Sequence, residues 1–512
     1  MRAGLCSGGV VVKSKVYRCS SLWAPPPSTL PVSVVFVYMG SLARNKNILK
    51  NTLLDQSVNP VYLRESSVYA FTHIIMFLWG FGTRYPNNIT KKELIEIVRL
   101  LPQLLISAVL DKHWDLVSEL LICWDCVGLE KTNIYIKSWD TLLKQRLKNG
   151  AVPGPQADIE RRSYTPVENK ERDRLLNRFS HLYHTTLTTM IAAVLSMNSA
   201  SEIPRFIPKK KATKISTKSL SNSLFSYQRY CNNELDKVLQ GKVWTPSHMA
   251  LILTSIWIIN QTVDTEQDFG GLIEKVKKIC TLKKVTKPSH NNALLAYFLS
   301  DMFLTAYGVK IEEYNQATEI VIRIPANYSI QEPNLYFAKK IASEMGLCEK
   351  PKSYSSNDIY DHLKKRDLQE LEDDYSFLIY MSESLLSSGE DLKSTQYDLY
   401  DLLNGMVTNK LQRYNLSSAL CGIRCLNKFS FAAQFDNIQY IIDQQKTAGS
   451  FGYYGPEIQT IIEDQAAGLP DSQNFYSLIP GLLTGFNAVW TLAECLSSRK
   501  VFPDLMLDWL NE

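Results

Sequence analysis

The sequence predicts an all-α protein built of helical hairpins in two related halves, and three observations carry that expectation. Apolar residues recur with helical period through most of the 512 residues. Stop signals punctuate them, above all Gly449 after the helical run of Tyr440, Ile441, Ile442, Gln445 and Lys446, where only glycine takes a left-handed cap conformation without steric cost. The order of helices also repeats at an offset of about 300 residues, since Leu116 to Gly150 spans 34 positions and Leu416 to Gly449 spans 33.

Composition narrows the class. Apolar content of 45% with 21% charged residues is that of a globular chain able to bury a sizeable core. A net charge of +5 is too mild to imply nucleic acid, and the runs Lys209 to Lys218 and Lys275 to Lys287 read as solvated faces or loops. Ten cysteines, several of them within apolar helical text (Cys421, Cys425, Cys495), suit small buried hydrophobes in a reducing compartment, so a cytoplasmic location is expected. No apolar run is long enough to span a bilayer.

Taken in order, residues 1–44 are expected to form a poorly structured extension behind Pro25, Pro26 and Pro27, with Met39 as an alternative start. The first helical half, 45–202, opens on the apolar stretch Val68 to Gly82. Thr90, with Glu93 three residues on, is a capping-box start for Lys91 to Leu110. A helix from Trp114 to Leu129 puts Leu116, Leu120, Cys123 and Val127 on one stripe, and Ile134 to Lys148 runs into the stop at Asn149 and Gly150. Residues 156–178 are charged and read as an exposed loop leading into a helix that carries Tyr183 to Ala193. Residues 203–222 form a basic linker. The middle helical segment, 223–352, contains the buried helices Leu251 to Val263 and Asn292 to Tyr307, and a short strand at Glu319 to Pro325, where β-branched residues alternate. The second half, 353–512, begins with acidic helical text up to Asp373 and continues through Ser376 to Gly389, the Leu416 hairpin and the apolar run Ile479 to Trp490.

The spacing of Tyr440, Gln445, Gly449 and Phe451 resembles the glutamine–aromatic repeat of squalene and oxidosqualene cyclases. More broadly it is similar to the helix-hairpin end of the α/α-toroid superfamily, which includes terpenoid cyclases and protein prenyltransferases. Ile441 stands where those repeats have leucine and Phe451 where they have tryptophan. The resemblance implies an α/α toroid in which the glutamine bonds backbone at a helix end and the aromatic ring stacks over it. It does not bring the catalytic motifs: Glu372, Asp373 and Asp374 form the nearest acidic cluster, and it matches neither carboxylate pattern of the terpenoid cyclases. The prenyltransferase zinc set implies an Asp, a nearby Cys and a distant His. Here Cys123, Asp125 and Cys126 stand in reversed order, with His181 and His184 further on, so zinc on Cys123, Cys126, His181 and His184 is the one cofactor to test, against buried helix cysteines as the alternative.

His73 and His184 sit beside threonines near the start of apolar helices. With Asp125 they are the candidates for a central cavity, or else core histidines bonded to their neighbours. Two function classes remain open. One is a terpenoid-cyclase-like or prenyltransferase-like toroid that binds a hydrophobic small molecule, with or without acting on it as an enzyme of specialised metabolism. The other is a non-enzymatic helical scaffold that binds a protein partner. Neither involves nucleic acid or a membrane span.

Overall fold

Helical periodicity is realised throughout the computed structural model, which describes residues 53–54, 58–86, 89–154, 170–199, 203, 217–241, 244–263, 269–282, 294–325, 333–351, 354–387, 395–429, 435–451 and 471–496. The expected 1–44 extension lies outside these residues. All of the described residues belong to one unit, Lys50–Glu512. After a 3-10 turn at Pro60–Tyr62 come α1 (Glu65–Leu78), α2 (Lys91–Leu110), α3 (Trp114–Val127), α4 (Asn133–Lys144), α5 (Lys170–Asn198) and α6 (Thr217–Gly241). The middle holds α7 (Pro246–Thr262), α8 (Phe269–Cys280), α9 (Leu294–Ala306), α10 (Glu312–Arg323) and α11 (Pro333–Glu344). Then follow α12 (Ser356–Lys365), α13 (Leu368–Asp373), α14 (Tyr375–Ser387), α15 (Thr395–Gln412), α16 (Leu416–Lys428), α17 (Phe435–Asp443) and α18 (Asp471–Leu496).

No strand occurs among the described residues, which corrects the expected strand at Glu319 to Pro325. That segment is the last turn of α10, and only Ile324 beyond it is extended. Val321 and Thr318 are buried along one side of the helix while Ile320 is exposed, so burial on a helical face outweighs the β-branched local preference. The expected basic linker is also shorter than 203–222, because Thr217 onward is the start of α6.

Sequence punctuation explains most helix ends. Thr90 and Glu93 form the expected reciprocal capping box at α2, and Ser355 with Asp358 does the same at α12. Gly128 stops α3 in the left-handed conformation at φ 76°. α3 is buried on every side, packed by α1, α2, α4 and α5, so it is the central helix of this group and not a one-sided amphipathic one.

Two pairs of turns have matching geometry. Lys112 and Tyr414 both adopt φ 56°, and the residues after them, His113 and Asn415, cap the next helix at φ −88°, ψ 72° and φ −86°, ψ 72°. In both, the cap side chain accepts the amide three residues on, Leu116 at 3.4 Å and Ser418 at 3.2 Å. Gly150 and Gly449 likewise sit at φ 86° and 96°, each donating to a carbonyl three residues back at 2.8 Å. At Gly449 a Cβ would run into the Ser226 carbonyl, so no other residue fits.

Gln445 ties this second turn down. Its side-chain amide donates to the Gly449 carbonyl (2.8 Å) and to the Ser223 carbonyl of α6 (2.9 Å), while its oxygen accepts from the Ser223 hydroxyl at 2.9 Å. Phe451 packs on Tyr227 with ring centres 5.5 Å apart. The end of α17 is thereby fastened to α6.

Candidate functional site

The central position of α3 decides the site. Trp114, Leu116, Val117, Leu120 and Leu121 are buried around it, and the same helix carries Asp115 and Glu119 one turn apart, at positions 7% and 2% exposed in their side chains. A carboxylate moved out of water needs hydrogen bonds or opposite charge. Helices α1 and α5 supply them. Asp115 Oδ2 accepts from the Tyr69 hydroxyl at 2.7 Å, and Oδ1 lies 2.8 Å from His184 Nδ1 and accepts from Thr185 and Thr188 at 3.3 Å each. Glu119 Oε2 accepts from the Thr72 hydroxyl at 2.5 Å, and Oε1 is 3.6 Å from His73 Nε2. Both imidazoles are half exposed, so the cluster is buried on its carboxylate side and open on its histidine side.

Electrostatics follow from this geometry. Burial pushes the Asp115 carboxyl up, but the hydrogen bond and charge of His184, with Tyr69 behind them, outweigh it and hold the group below its ordinary value. The Asp115 hydrogen bond raises His184 in turn, against the opposing effect of burial. Burial and the adjacent Asp115 push the Tyr69 hydroxyl far up, so it acts as a donor throughout the accessible pH range.

The sequence-derived candidates fall in different places. His73 and His184 are brought to opposite ends of one carboxylate pair. Neither stands at a helix start: His73 is in the middle of α1, and His184 is well inside α5, which begins at Lys170 because the charged stretch before it is already helical. Asp125 is elsewhere, accepting from Tyr135 at 2.9 Å and Ser199 at 2.8 Å, with Lys131 at 4.0 Å; burial raises its carboxyl despite these partners. Cys123 and Cys126 do not join the histidine. The Cys123 thiol donates to the Thr72 carbonyl at 3.4 Å, and burial pushes it well above its ordinary value. Burial with the Asp125 charge pushes Cys126 up to about 12, so both remain protonated thiols. The His181 side chain lies outside the described residues.

Asp115, Glu119 and Tyr69 were missed by the sequence reading, which followed the apolar stripe of α3. The available signal was the acid pair at i and i+4 in an otherwise apolar helix. The second half has different buried charges: Arg424 and Glu383, both inaccessible, stand 3.8 Å apart, with the guanidinium 3.5 Å over the Trp490 ring.

Beside the cluster lies a cavity of about 480 Å³ between the 3-10 turn, α1, α2, α3, α15 and α17. Leu63, Val68, Leu104, Leu116 and Leu411 line one part of it, and Arg64, Glu65, Ser107, Gln412 and His113 make the rest polar. Asp111, His113 and Tyr414, from the two matching turns, line it together. Tyr69 links the two, its ring edge-on to the cavity-lining His113 at 5.9 Å and its hydroxyl donating to Asp115. His73, Asp125 and His184 are not among the lining residues.

Residues 23–194 match a family described only as a domain of unknown function, DUF6895. That match runs from the undescribed N-terminal region into α5 and takes in Tyr69, His73, Asp115, Glu119 and His184. No curated protein and no solved structure matches the chain.

Proposed function

We propose that the chain is a hairpin array in two related halves, of the α/α-toroid kind that the Gln445 repeat resembles, and that it binds a hydrophobic small molecule in the cavity between α1, α2, α3, α15 and α17. The observation that carries this is the cavity itself, whose size suits a small ligand and whose lining sets a cluster of leucines beside polar and charged side chains that would orient one end of it. The matching turns before α3 and α16 and at Gly150 and Gly449 support the two-half arrangement, and the Gln445 bonds at the end of α17 support the toroid resemblance.

Native mass spectrometry of protein taken from its own host tests the reading. An apolar small molecule is expected to co-purify, and Ala108→Phe, which projects into the cavity, is expected to abolish it with little change in melting temperature. Protein that stays bare from its own host and takes up nothing from a cell extract would overturn the proposal.

A second reading, a scaffold for a protein partner, is favoured by one feature. Tyr183, Leu187, Met190, Val194 and Met197 are 45% to 78% exposed along α5 at alternating spacings of four and three, the pattern of a helix-packing seam. A stoichiometric protein partner in the same mass spectra, lost on Leu187→Glu, would support it.

A further inference from the structure

We propose that Asp115, Glu119 and His184 form a binding site for one divalent cation of the manganese or iron(II) class. This stands on the cluster alone and is independent of the cavity reading. One carboxylate oxygen from each acid and one imidazole nitrogen lie within 4.8 Å of one another, contributed by adjacent turns of α3 and by the facing α5. In octahedral coordination with bonds of about 2.1 Å, neighbouring ligand atoms stand about 3 Å apart and opposite ones about 4.2 Å. The 2.8 Å separation of Asp115 Oδ1 and His184 Nδ1 is that of two neighbouring ligands, and a Glu119 oxygen lies within 4.8 Å of both, a gap that rotation of its side chain can close.

The surroundings suit the same purpose. Oδ2 of Asp115 is held by the Tyr69 hydroxyl and Oε2 of Glu119 by the Thr72 hydroxyl, as orienting partners hold metal ligands, and Oδ1, which also accepts from Thr185 and Thr188, faces His184. Among the described residues no lysine or arginine pairs with Asp115 or Glu119; their only basic partners are imidazoles, themselves good ligands. A divalent ion would take the place of the proton that His184 Nδ1 and Asp115 Oδ1 share and would bring positive charge to two buried carboxylates. Half-exposed His184 leaves the solvent side open, so the remaining coordination positions fall to water. The donor set, two carboxylates and an imidazole, favours hard to borderline cations over the thiolate-seeking ones. His73, 3.6 Å from Glu119, steadies that acid from the α1 side.

Manganese(II) is the probe, because thiols elsewhere in the chain compete poorly for it and because its free ion is counted directly by electron paramagnetic resonance. Wild-type protein stripped with chelator is expected to take up one Mn²⁺ per chain, with a rise in melting temperature. Glu119→Gln and His184→Gln should each weaken that affinity by about tenfold or more, with metal-free helicity retained. Thr72→Val, which removes only an orienting hydroxyl, should weaken it less while leaving one site per chain. Wild-type protein that leaves millimolar Mn²⁺ free, or uptake that survives both Glu119→Gln and His184→Gln unchanged, would overturn the site. The wild-type titration decides the matter even if a variant fails to fold.

Discussion

His248 on α7 is 1% exposed, and burial, helped by the charge of Lys237, pushes its pKa from 6.5 down to about 3. Between those two values the unfolded chain binds a proton that the folded chain refuses. Stability therefore falls as pH drops through that window, by about 1.4 kcal/mol per pH unit from this group. Urea unfolding at pH 7.5 and pH 5.0 checks it: His248→Leu should lose about 2 kcal/mol less than wild type on acidification. Equal losses would mean His248 is not the acid-sensitive group. The Asp115 and His184 pair has the opposite economy at its histidine, since each partner favours the other's charge and the imidazole is raised, not lowered. Both histidines are equally plain in the sequence. Their opposite behaviour comes from one having a carboxylate within hydrogen-bond reach and the other having an apolar helix around it.

Among the elements, α2 and α15 form the contact on which much else hangs. Their polar register is specific: Ser107 donates to Gln412 at 2.8 Å, and Asp111 accepts from Asn409 at 3.0 Å and from Arg413 at 2.5 Å. Gly405 lets the helices approach, since a Cβ there would stand 2.6 Å from Ile106 Cβ and 2.7 Å from its Cγ2. Gly405→Ala should cost about 1–3 kcal/mol through overpacking, more than the roughly 1 kcal/mol an alanine adds to a helix. Denaturant unfolding of Gly405→Ala, Ile106→Ala and the double variant tests this. The double variant should be less destabilised than the sum of the two single changes, whereas a stabilising Gly405→Ala would show that the helices have room to spare. Element boundaries were legible where chemistry is local, as at Thr90 with Glu93 and at Gly449. The β-branched run at Glu319 misled because strand preference reports on packing surroundings that the run alone does not contain.

For the whole of Lys50–Glu512, the consequence is interdependence. α2 needs α15 to cover it, Gln412 bonds the carbonyls of Pro60 and Leu63, and α7 of the middle segment packs against α18. A fragment of residues 45–202, which contains the whole metal-site cluster, is therefore expected to be helical without unfolding cooperatively, because its α2 face is left bare. Calorimetry of that fragment alone and mixed with residues 353–512 checks the claim. A sharp transition from the lone fragment would show instead that it is a self-sufficient domain.

The helical class and the capping signals could be read from the sequence alone, because period, caps and glycine stops act within a few residues of where they are written. His73 and His184 could be singled out for the same reason, as polar groups in apolar helical text. Their partners could not: Glu119 lies 46 positions from His73 and Asp115 69 from His184, on a helix whose acid pair at i and i+4 hints at burial but not at what it faces. Only the packing of α1 and α5 on α3 decides that. Charge buried between distant segments acquires its meaning from the distance and dielectric around it, and both are properties of the folded chain.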